Sequence, residues 1–174
     1  ETIQALADEL CQISPERACM ALHLCGNEAR RALGGDGPPF ESGAVRHQIN
    51  GFTAHVDAQL PLVPFGTWIR PFAGPVIVQV QHERALSVAR LLAEVHPNVY
   101  ALWDQSGGRG RLTTWPDPLP GLRMGYAGGI TPENVKHAIE DLTSRASGAE
   151  TWIDMESGVR TNDELDLDKV RSVL

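Results

Sequence analysis

Lysine is close to missing from this 174-residue chain: Lys136 and Lys169 are its only two. Both fall in segments with helical periodicity, so no strand offers an amine for a Schiff base and imine chemistry lacks a candidate. Positive charge is scarce as well. Fifteen Lys and Arg face 22 Asp and Glu, a formal net charge of −7, and the sequence pI is about 5.3. That balance argues against a nucleic-acid-binding face. No apolar run approaches the roughly 20 residues needed to cross a bilayer. A basic-then-apolar leader is lacking too, although a chain that opens on Glu1 need not show the protein's true start. Cys11, Cys19 and Cys25 are odd in number and lack metal-ligand spacing. They read as reduced thiols of a cytoplasmic protein, with no disulfide framework and no metal. No Gly-x-Gly-x-x-Gly follows the first strand, which weighs against a dinucleotide fold. With no linker, repeat or low-complexity tract, one domain over residues 1–174 is expected.

What the chain does have is alternation. Strand patterns fall at residues 18–24, 45–49, 76–80, 99–103, 122–127 and 151–155. Helical patterns fall at 2–13, 30–33, 83–95, 132–145 and 167–174. The segment 83–95 is the clearest helix, with Ala85, Val88, Ala89, Leu92 and Val95 on one face. About six strands, mostly separated by helices, imply a parallel α/β sheet, and an open doubly wound sheet and a closed barrel both fit. The Gly- and Pro-rich stretch 107–121 is long for a connection in a compact domain, and long loops are often functional.

Two segments share one build. Gly125-Tyr126-Ala127 runs into Gly128-Gly129, then Ile130-Thr131-Pro132-Glu133, with Thr131 as expected N-cap and Pro132 as first helical residue. Trp152-Ile153-Asp154-Met155-Glu156 runs into Ser157-Gly158 in the same way. Glycines let backbone N–H groups approach a ligand, and helix N-termini carry partial positive charge. Two such turns on adjacent parallel strands would make a phosphate-sized anion site from Gly128, Gly129, Ser157 and Gly158.

Four fragments resemble, in order, the phosphoribosylanthranilate isomerase family. Leu22-His23-Leu24-Cys25-Gly26-Asn27-Glu28 is loosely similar to a family strand end. Leu102-Trp103-Asp104, with Ser106-Gly107-Gly108-Arg109-Gly110 after it, resembles the strand of the general acid and its glycine-rich loop. Ala127 to Val135 is close to the family's Ala-Gly-Gly-Leu-x-Pro-Glu-Asn-Val, and Ile153 to Val159 to its Val-Asp-Val-Ser-Ser-Gly-Val. The resemblance implies a parallel (β/α) barrel of TIM type, with about six βα units here and the first one or two absent or truncated. It also implies an Amadori-type aldose–ketose isomerisation in tryptophan biosynthesis, without a cofactor, in the cytoplasm. The partner would be a small phosphorylated metabolite, not nucleic acid or membrane, and a homo-oligomer stays open. A differently specialised or non-catalytic homologue that keeps an anion site is the alternative.

Roles follow residue by residue. Asp104 matches the general acid, and an Asp that caps its own loop is the plainer reading. The family's base is a cysteine in Lys-Ile-Cys-Gly, which Cys25 mimics locally, and a small buried strand-end residue is the alternative. Arg109 suits a phosphate or carboxylate, or is a solvated arginine. Asp154 matches an aspartate of the last strand. Glu156 replaces a serine in the phosphate turn, so Arg109, Arg123 or Arg160 must neutralise it. Arg109, Asp154, Glu156 and His23 are the candidate ligand contacts, while satisfied, neutral histidines are the favoured reading for His23 and His82 near strand ends, His47 within one, and His55.

Overall fold

A computed structural model describes residues 21–36, 46–58, 69, 72, 74–107, 109–111 and 113–174. The helix expected over residues 2–13 lies outside them, as do Cys11, Cys19 and Trp68. The first ordered strand, β1 (Ala21–Leu24), leads into helix α1 (Gly26–Arg31), which a π-type turn continues over Ala32–Asp36. Then come β2 (Arg46–Ile49), α2 (Phe52–Asp57), β3 (Val76–Val80) and α3 (Glu83–Val95). Strands β4 (Val99–Trp103) and β5 (Met124–Tyr126) are joined by the long Gly- and Pro-rich loop. Helix α4 (Val135–Arg145) and strand β6 (Thr151–Ile153) follow. A 3-10 turn (Ser157–Val159), the hairpin β7 (Arg160–Thr161) and β8 (Glu164–Leu165), and helix α5 (Leu167–Val173) end the chain.

The six strands β1 to β6 form one parallel sheet in strict sequence order. That order decides between the two architectures the sequence leaves open. A doubly wound sheet reverses its strand order and so puts helices on both faces. Here nothing reverses, and right-handed crossovers in one direction put every helix on the same side. The result is the wall of a partial α/β barrel.

Two apolar layers follow from the alternation of side chains. The larger lies between sheet and helices, where Val76, Val78, Val80, Ala101, Trp103, Met124 and Tyr126 meet Ala85, Leu86, Ala89 and Leu92 of α3. Truncating Leu92, which is wholly buried, to Ala would cost about 2–5 kcal/mol. Val95, expected on this face, is 60% exposed at the end of α3, and Leu86 takes its place. The smaller layer, on the other face of the sheet, holds Ile77, Leu102 and Ala127 with Tyr100 and Trp152.

Two further boundaries differ from the sequence reading. Helix α2 is absent from it, and α4 starts at Val135 and not at Pro132. Residues 131–134 close instead into a turn: the Asn134 and Val135 amides donate to the Thr131 carbonyl at 3.1 and 2.9 Å, and the Thr131 amide donates to Asn134 Oδ1 at 2.8 Å. The Asn134 side chain competes with helical bonding there, as short polar amides do.

Candidate functional site

Register builds the site. Trp103, Tyr126 and Ile153 are aligned across β4, β5 and β6. The next residue of each strand is held by the strand beside it: Asp104 N–H donates to the Val80 carbonyl, Ala127 to Trp103 and Asp154 to Tyr126, each at 2.9 Å. Trp103 and Tyr126 face the helices, so alternation turns Asp104, Ala127 and Asp154 to the inner face. Below this row lies an apolar floor of Leu102 and Trp152. The Trp152 indole lies over Gly125, where a Cβ would sit 2.2 Å from its ring.

Above the row three loops interlock. Gly128, at φ +95°, would put a Cβ 2.8 Å from the Arg111 carbonyl, and Gly129 follows at φ +69°. An L side chain at either position meets backbone strain. The Ser157 hydroxyl rests against Gly110, and Gly158 packs on the Ile130 carbonyl. Asn134 fastens the middle loop by donating Nδ2–H to the Gly129 carbonyl at 2.9 Å. Together they enclose a cavity of about 30 Å³. Gly110, Gly128, Gly129 and Ser157 line it together with Asp104, Ser106, Asp154 and Glu156, and a Cβ on Gly128 would sit 3.5 Å from Asp104 Oδ1. Among the described residues, the amides of Gly128 and Gly129 donate to no backbone carbonyl.

The carboxylates differ in their surroundings. Asp104 is 4% exposed. Its Oδ1 accepts from the Ser106 hydroxyl at 2.6 Å and the Ser106 amide at 3.1 Å, and its Oδ2 from Gln79 Nε2 at 2.8 Å. The loop-capping geometry and the place on the cavity wall thus coexist in one residue. Asp154 is half-buried, and burial raises its carboxyl pKa. Charges on Glu156 and Asp104 push in the same direction, while a protonated His23 opposes them. Glu156 is paired with Arg160 at 3.1 Å. Among the described residues no group of three His, Cys, Asp or Glu is arranged to hold a metal ion.

Several expected residues stand outside the cavity lining. Cys25 follows β1 and is exposed, not buried, as the N-cap of α1. His23 is exposed on β1. Arg109 folds onto its own loop, with Nε donating to the Ser106 carbonyl at 2.8 Å and its amide to Ser106 Oγ at 3.2 Å. Arg123 belongs to the opposite end of the strands, bonded to Glu150 at 2.7 Å and Tyr100 at 2.6 Å. Of the three arginines weighed for neutralising Glu156, Arg160 does so.

The histidines divide. His82 caps α3 through Nδ1, which accepts from the Ala85 amide at 3.3 Å, and its Nε2 meets Asp57 at 3.1 Å. His47 faces the helix-side core against Phe72. Burial lowers the pKa of His47 and of His55. Sequence reasoning missed Gln79, Ser106 and Gly110. Their signals were a lone amide in the apolar run of β3, a serine two residues after Asp104, and the third glycine of the loop.

A curled parallel sheet with its polar cavity at the carboxyl ends of the strands defines a barrel protein of the (β/α) class. The family model of N-(5'-phosphoribosyl)anthranilate (PRA) isomerase matches residues 68–174, more than half of the chain, which therefore belongs to that family of tryptophan-biosynthesis barrels. No curated protein and no solved structure matches it significantly. Among the described residues no helix is long and apolar enough to cross a membrane.

Proposed function

We propose that the chain is an intramolecular isomerase that converts a phosphoribosyl amine from aldose to ketose by an Amadori rearrangement, with N-(5'-phosphoribosyl)anthranilate as substrate. One observation carries the reading: Asp104 lines the same cavity as the glycine turns of β5 and β6. The phosphate would sit on the amides of Gly128, Gly129 and Ser157, which line the cavity, with that of Gly158 beside them, a concave set of backbone donors for an anion. Asp104 then protonates the ring oxygen as the ribose opens. A base removes the C2 proton to give an enolamine, which collapses to the ketone. Cys25 mimics the family's cysteine motif only locally and stands outside the cavity lining. Asp154 lies in the cavity, and its raised pKa suits proton exchange nearer neutrality.

Turnover of N-(5'-phosphoribosyl)anthranilate by the purified protein, followed through its anthranilate fluorescence, tests the reading. Activity that is lost in Asp104→Asn supports it, and an inactive wild type removes it. A second reading then gains weight from the Glu156–Arg160 pair beside the cradle: a homologue whose anion site takes a different ligand.

A further inference from the structure

We infer that Gln79 is the positioning residue of this site, holding the Asp104 carboxylate in the orientation from which it transfers a proton. The inference rests on the isomerase reading and adds to it a group from the neighbouring strand. Gln79 lies on β3, whose other residues are Val76, Ile77, Val78 and Val80. It shares the inner face with Ile77 and is 6% exposed. A buried amide in an apolar strand costs stability unless it is hydrogen-bonded. Its bond runs to Asp104 Oδ2 at 2.8 Å, while Ser106 takes Oδ1.

The two oxygens are thus held from opposite sides, one by the adjacent strand and one by the carboxylate's own loop, which blocks rotation of the carboxylate. The support is itself anchored. Thr53 of α2 donates its hydroxyl to the Gln79 carbonyl at 3.2 Å and accepts the Gln81 amide at 3.1 Å. Helix α2 thereby staples the end of β3 where Gln79 reaches across. A well-fitted apolar side chain would fill the space at least as stably, but it could not orient a carboxylate.

The test compares wild type with Gln79→Met, similar in length but without a donor, and with Gln79→Glu, which sets a second carboxylate against Asp104. On N-(5'-phosphoribosyl)anthranilate, Gln79→Met is expected to lower kcat by about 10- to 100-fold. KM stays within about 3-fold, since the cradle lies on other strands. Gln79→Glu falls further, and neither variant adds to the defect of Asp104→Asn. An unchanged kcat, or a loss confined to KM, overturns the inference. If wild type does not turn over, the isomerase reading fails by itself. The positioning claim is then read from the Gln79 side-chain amide by NMR: slowed hydrogen exchange in wild type that is lost in Asp104→Ala supports it. Equal exchange in both overturns it.

Discussion

A Cβ on Gly158 would lie 1.9 Å from the carbonyl oxygen of Ile130. The loops after β5 and β6 are therefore in backbone contact, and no rotation of a side chain can relieve an added methyl group. Gly158→Ala is expected to cost about 1–3 kcal/mol through overpacking. It should also prise the cradle open, so that ribose 5-phosphate no longer raises the melting temperature. Denaturant melts with and without that ligand check both outcomes.

Asp104→Asn keeps the volume of the residue and one accepting oxygen, turns the other acceptor into a donor, and cannot supply an acidic proton. Turnover should fall by about 10²- to 10⁴-fold, the usual scale of a lost general acid. Binding of ribose 5-phosphate, measured by calorimetry, should remain, because the cradle is made of other residues. Equal turnover would remove Asp104 from the acid role.

Asp154 makes a stability prediction with a definite sign. Its pKa is raised by burial and then by Glu156 and Asp104, so the folded protein holds this proton more tightly than the unfolded chain. Its contribution declines as pH rises from the ordinary carboxylate range through the raised pKa. Asp154→Asn should melt higher than wild type at neutral pH, with the gain vanishing towards pH 3. A variant that melts lower at neutral pH would contradict this.

His47 runs the other way. Burial against Phe72 lowers its pKa below the usual 6.5, so the unfolded chain takes up the proton first. Stability should fall as pH drops from about 6.5 through the lowered folded value. His47→Gln should flatten this acid-side decline in melts between pH 7 and pH 4.5, and an identical slope would count against it.

The strands were legible because local chemistry writes them plainly. Val76 to Val80 is β-branched and bounded by Pro75, and α3 repeats apolar residues at helical spacing. The paired glycine turns were legible for the same reason. Helix α2 was not: it has six residues, begins after Gly51 at φ +84° and contains Thr53 and Val56, which favour strands. Tertiary packing of Phe52 and Val56 in the core overrides that preference. The hairpin of β7 and β8 turns on Asn162 and Asp163, both at positive φ, a two-residue signal too short to stand out. Gln79 escaped notice for a different reason. Its partner lies 25 residues away, and strand order, which also separates barrel from open sheet, is not written in any local pattern.

The claim on which the rest depends is that the β5 and β6 turns bind one anion jointly. Amide NMR of the wild-type protein titrated with ribose 5-phosphate reads this directly. Saturable shifts of the Gly128, Gly129, Ser157 and Gly158 amides, following a single binding curve, are the expected result. Shifts confined to one of the two turns, or to neither, would contradict the account.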